Sequence, residues 1–137
     1  MIYDKSKQSI IDDITKKLAT HDEIICAYIF GSFVSEETFR DIDIAILIDT
    51  KKVSASQHFE YILTLGAEFR LAYPIDIILL NDAPAQFQAN VFRDGKLLIN
   101  KNSEQLSNLI ESASLSAVRN ASLIRESTKA LAYGTNT

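Results

Sequence analysis

Apolar residues recur along this chain in two rhythms, and the changes between them divide it into elements. Over residues 5–20, Ile10, Ile11, Ile14 and Leu18 fall at helical spacing with Asp and Lys between them, which predicts an amphipathic first helix. Asp12, Asp13, Lys16 and Lys17 read as its solvated face. From Glu23 to Phe30 the run is mostly apolar and rich in β-formers, as in a strand buried on both faces. Phe33 to Arg40 is polar enough to leave the sheet, as one helical turn. Asp41 to Asp49 returns as a second strand, with Ile42, Ile44, Ile46 and Ile48 on one side by alternation.

Ser54 reads as an N-cap for a helix from Ala55 to Ala72, with Phe59, Ile62, Leu63, Gly66, Phe69 and Tyr73 along its apolar side. Pro74 ends it, because the residue before a proline is pushed out of the helical region. Ile75 to Leu80 (IDIILL) is a third strand, and Asn81 to Pro84 a turn whose proline starts a short helix. Phe87 and Val91 are that helix's apolar contacts, Gly95 closes it, and Leu97, Leu98 and Ile99 form a final strand. From Ser103 a last helix carries Leu106, Leu109, Ile110, Ala113, Ala117, Ala121, Ile124 and Leu131, with Gly134 as its stop. The order α-β-β-α-β-α-β-α predicts an α/β (α+β) domain with a mixed sheet of about four strands flanked by helices.

Composition narrows the setting. At 137 residues and 47% hydrophobic, the chain reads as one globular domain over 1–137, its core about 24–101 and its C-terminal helix about 103–132. The net charge of −4 and the lack of any basic tract beyond Lys16-Lys17 and Lys51-Lys52 argue against broad nucleic-acid binding. A lone Cys26 in an apolar run reads as a small buried side chain in a reducing compartment. Met1-Ile2-Tyr3 leads straight into charged residues, and no apolar run reaches the ~20 residues of a membrane span. A cytoplasmic protein is the expectation. His21 reads as a surface histidine; His58, without a partner at ligand spacing, reads as a boundary residue rather than a metal ligand.

Candidate chemistry gathers where the two strands face each other across the polar segment. Asp41 and Asp43 are two apart in a strand, so their side chains project from the same face about 7 Å apart. Paired carboxylates repel and are costly to desolvate, and a hard divalent cation with oxygen ligands removes both penalties. The Gly31-Ser32 turn just before them supplies backbone N–H groups suited to a phosphate. Asp76 interrupts the apolar IDIILL run, where a buried carboxylate needs a partner. An edge position or an arginine pair would explain it alone; with Asp41 and Asp43 upstream, a shared metal is the stronger reading.

This pattern resembles the nucleotidyltransferase (DNA polymerase beta-like) superfamily. More narrowly, it is similar to the minimal nucleotidyltransferases, the MNT or MntA-type antitoxins paired with HEPN toxins. Three pieces carry the resemblance: Gly31-Ser32 followed by Asp41-x-Asp43, Asp76 at the place of the family's third carboxylate, and the run IDIILLNDAPAQFQANVFRDGKLLINKN. They span most of residues 24–101. The resemblance implies a nucleotidyltransferase fold in which Asp41, Asp43 and Asp76 hold two magnesium ions, manganese being an alternative. It implies that Gly31 and Ser32 hold the phosphates of ATP, and that Asp76 acts as base. It also implies AMP transfer to a tyrosine of a cognate HEPN toxin. The chain departs from the family in three ways. Only eight residues separate Ser32 from Asp41, Val34-Ser35-Glu36 replaces the usual Arg-Gly, and Arg40 precedes the first carboxylate. Arg40 has two readings, a weak phosphate contact or a surface salt bridge to Glu36 or Glu37. Two rival functions stand beside the first: an inactive antitoxin that only binds its toxin, and a small-molecule nucleotidyltransferase working as a homodimer.

Overall fold

The computed structural model describes residues 6–134, with side chains through residue 121. The expected Ile124 and Leu131 contacts lie outside the described side chains. Helix α1 (Lys7–Ala19) starts on Ser6, whose hydroxyl accepts from the Ser9 N–H, and buries Ile10, Ile14 and Leu18 on one stripe. Strand β1 (Ile24–Phe30) runs antiparallel to β2 (Ile42–Ile48), and a one-turn helix, α2 (Ser32–Ser35), sits between them. Strand β3 (Ile75–Leu79) lies parallel to β2, so the chain must cross over, which it does through α3 (His58–Arg70). After α4 (Ala85–Asp94), β4 (Lys96–Asn100) pairs antiparallel with β1. The sheet order is β3-β2-β1-β4, a mixed sheet with β3 and β4 at its edges. The long α5 (Ser103–Gly134) follows.

Alternation along the strands sorts the core into two layers. Ile42, Ile44, Ile46 and Ile48 pack with Ile24 and Ile29 against Ile10, Ile14 and Leu18 of α1 and Leu65 and Phe69 of α3. The intervening Ala45 and Leu47 join Cys26 and Tyr28 under Val91 of α4 and Leu106 of α5. With helices on both faces, β1 and β2 are buried almost throughout. Among the described residues no helix is long and apolar enough to cross a membrane.

The third helix differs from expectation in start and phase. Residues Ala55–Gln57 form a 3-10 turn, and Ser54 makes no capping bond, its hydroxyl instead meeting that of Ser56 at 3.2 Å. Phe59 is 76% exposed and Leu63 50%, while His58, Leu65 and Phe69 are buried. The apolar residues of this helix span too much of its circumference to be buried together. The line His58-Ile62-Leu65-Phe69 faces the sheet, and the Phe59-Leu63 edge is left outside. His58 is thus a core residue: its Nε2 donates to the Val53 carbonyl at 3.0 Å, while Nδ1 has no hydrogen-bond partner among the described residues, Asp82 Oδ2 standing 3.9 Å away. His58→Leu is expected to strand that carbonyl and lower stability by about 1–2 kcal/mol, read from a urea midpoint.

Candidate active site

The site forms where β1 ends and β2 begins. Phe30 is followed by Gly31 at φ 78°, ψ −155°, a backbone region open in practice to glycine alone. A Cβ at this position would lie 2.5 Å from Asp43 Oδ2. Glycine is therefore required twice over, by its torsions and by the carboxylate packed against it. α2 follows at once, and the N–H groups of Ser32 and Phe33 precede its first helical bond, Val34 N–H to Gly31 O.

Two aromatic rings and one lysine fix the loop after α2. Phe33 and Phe39 are buried and meet edge-on at 4.6 Å. Lys7 reaches over from α1, donates to the Phe33 carbonyl at 2.7 Å and to that of Glu36, and places its ammonium 5.2 Å from the Phe33 ring. Sequence reading missed this clamp; Phe33 and Phe39 in an otherwise polar segment were the one available signal.

The three predicted carboxylates lie at one end of the sheet. Asp41 and Asp76 are near enough to act on the charge of Asp43, but the three are not gathered into one ligand set among the described residues. Asp43 stands in register with Asp76 across the parallel β2–β3 pair and with Phe30 across the antiparallel β1–β2 pair. In-register neighbours share a face, so Asp76, Asp43 and Phe30 form a row across three strands. Burial pushes the Asp43 carboxyl above its usual range, and the negative charges of Asp76 and of Asp41 push it the same way. Among the described residues none of the three is in an ion pair with a basic side chain.

One expectation is corrected. Asp76 is exposed, because β3 is an edge strand and Asp76 alternates away from the face on which Ile75 and Ile77 pack with α3. The desolvation argument therefore belongs to half-buried Asp43, not to Asp76. A cleft of about 500 Å³ is lined by Ser32, Glu36, Thr38, Arg40, Asp41 and Asp43, with Asp76 outside it. Arg40 is exposed in this cleft and makes no salt bridge to Glu36 or Glu37 among the described residues.

The donor set suits a hard cation in kind: carboxylate oxygens in mutual repulsion, with no ion pair to a basic side chain among the described residues. Among the described residues no three His, Cys, Asp or Glu side chains are already drawn into a closed ligand set. What the structure supplies is a half-buried Asp43 whose charged form is disfavoured by burial and by two neighbouring carboxylates, packed against a glycine.

Comparison with known proteins bears on the family and the fold. Residues 12–104 match the family model for polymerase beta, nucleotidyltransferase. No curated protein matches the chain in sequence. Among solved structures, the fold resembles a chain of the tri-AMPylated Shewanella oneidensis HEPN toxin in complex with MNT antitoxin. The two are 22% identical with a TM-score of 0.61, over 90% of this chain and 95% of that one. It also resembles a chain of a toxin–antitoxin with AMP-PNP, at 24% identity and TM-score 0.51, over 89% of this chain and 93% of that one. A mutant MntA–HpeT toxin–antitoxin is similar at 18% identity and TM-score 0.54, over 97% and 100% of the two chains.

Proposed function

The chain belongs to the polymerase beta nucleotidyltransferase family, and from that membership we propose that it transfers AMP from ATP to a tyrosine hydroxyl of a HEPN-type toxin, as that toxin's antitoxin. The observation that carries the proposal is the row of Asp43 and Asp76 in register, with Asp41 acting on Asp43 and Gly31 packed against it. The tri-AMPylated and AMP-PNP complexes among the structural neighbours favour AMP as the group and a toxin as the acceptor.

In this reading Asp41, Asp43 and Asp76 hold magnesium, and Gly31 and Ser32 hold the triphosphate through backbone N–H groups and the Ser32 hydroxyl. Bound magnesium supplies charge neutralisation at the phosphoryl oxygens and lowers the pKa of a nearby hydroxyl. Asp76, the most open of the row, accepts the tyrosine proton. The tyrosine oxygen bonds to the α-phosphorus, the bond to the β-phosphate oxygen breaks, and pyrophosphate leaves. Arg40, in no ion pair among the described residues, contacts a phosphate and offsets the charge of Glu36 in the same cleft.

Glu36 in the same cleft favours a second reading, an antitoxin that binds its toxin without turnover. Co-expression with a HEPN partner and α-labelled ATP separates the readings. Label on a partner tyrosine, lost in Asp41→Asn while the complex survives, is the expected result. A complex that neutralises the toxin without label supports the binding antitoxin. Label found on a small molecule alone supports the metabolite enzyme.

A further inference from the structure

Gly31 lines a second cavity, and it stands against Asp43, which lines the cleft already described. That second cavity, about 720 Å³, opens between α2 and α4. Phe87, Asn90 and Asp94 line it, three and four residues apart and so on one face of α4. Phe30 lines it from the sheet, and its ring meets that of Phe87 edge-on at 5.6 Å and 84°. Because Phe30 is the register partner of Asp43, this aromatic wall continues the acidic row on the same face.

The cavity's charges cancel within it. Arg93 grips Asp94 with two parallel bonds, Nε to Oδ1 at 3.0 Å and Nη2 to Oδ2 at 2.8 Å. Asn90 Oδ1 accepts from Gln86 Nε2 at 2.9 Å and from Arg93 Nη2 at 3.3 Å. Two donors fix that oxygen's orientation, so the Asn90 amide nitrogen faces the other way with no protein acceptor among the described residues. Among the described residues that line it, the one cation, Arg93, is already paired with Asp94. A flat, uncharged heteroaromatic ring finds aromatic edges and an N–H donor for a ring nitrogen.

Building on the metal–nucleotide reading above, we propose that this second cavity holds the nucleobase of the substrate, with Phe87 against the ring and Asn90 donating to its edge. Gly31, lining this cavity and packed against Asp43 of the cleft, then stands between nucleoside and triphosphate. The rival occupant of a neutral aromatic cavity is the acceptor's tyrosine ring.

Calorimetry on the full chain with magnesium, titrating ATP and inorganic tripolyphosphate separately, tests this. Wild type is expected to bind ATP about tenfold tighter than tripolyphosphate, the scale of one base–aromatic contact. Phe87→Ala and Phe87→Leu are expected to remove that advantage and leave tripolyphosphate binding unchanged; the leucine variant keeps apolar bulk should the alanine variant unfold. Asn90→Ala is expected to act in the same direction. ATP affinity unmoved in all three variants overturns the proposal. If those variants then slow labelling of the acceptor tyrosine, the cavity belongs to the acceptor. Wild type that binds neither ligand overturns the metal–nucleotide reading, and the base site with it.

Discussion

Asp43→Asn is expected to cut AMP transfer by about 10³-fold or more, and at the same time to raise the melting temperature of the metal-free protein. The loss follows from removing the central donor of the acidic row, since metal stabilisation of a phosphoryl transition state is worth several kcal/mol. The gain follows from the direction of its titration. Burial and two neighbouring carboxylates raise the Asp43 pKa above its ordinary 3.8, so the folded state favours the protonated form. That favourable contribution is complete below 3.8 and is lost as pH rises through the raised value. At neutral pH the wild-type carboxylate is therefore a burden on the metal-free fold, and asparagine removes it. The gap between the two proteins is expected to close as pH falls toward 3.8. Magnesium should raise the wild-type melting temperature and leave that of Asp43→Asn in place. Thermal scans with and without metal, at neutral pH and near pH 4, check all three statements. Equal stabilisation of both proteins by magnesium would remove Asp43 from the metal site.

Gly31→Ala is the second large effect. The backbone at φ 78°, ψ −155° alone is expected to cost about 1–3 kcal/mol for a residue with a Cβ. The added carbon, 2.5 Å from Asp43 Oδ2, must also displace that carboxylate. Transfer should fall with Asp43 out of place even where the protein remains folded. A double-mutant cycle with Asp43→Ala separates the two costs. Truncating Asp43 removes the collision but not the torsional strain, so Gly31→Ala should be less harmful in the Asp43→Ala background. Additive effects would mean that the glycine serves the backbone alone.

The strands were legible because their alternation is strong: Ile42, Ile44, Ile46 and Ile48 mark one face, and Asp43 is the break on the other. Gly31, Asp41 and Asp43 were legible for the same reason, as residue types that conflict with their apolar surroundings. The phase of α3 was not, because its apolar residues outnumber the places facing the sheet, and packing on Leu65 and Phe69 chose among them. The exposure of Asp76 depends on β3 lying at the sheet edge, a matter of strand order that its own sequence does not encode. The Lys7 clamp on the loop carbonyls joins residues far apart in sequence, and only Phe33 and Phe39 in a polar segment hinted at it. Buried Gln88, whose amide donates to the Leu80 carbonyl at 2.6 Å, was equally invisible, since a lone glutamine in a short helix reads as surface.

The parallel pairing of β2 with β3 has a consequence for how the molecule comes into being. Gly31 and Asp43 belong to an antiparallel neighbour pair joined by a short connection, whereas Asp76 arrives only after a whole crossover has emerged and docked. Local hairpin contacts form ahead of such distant pairings. A nascent chain on the ribosome should thus present two of the three acids well before the last, and remain chemically idle until the crossover closes.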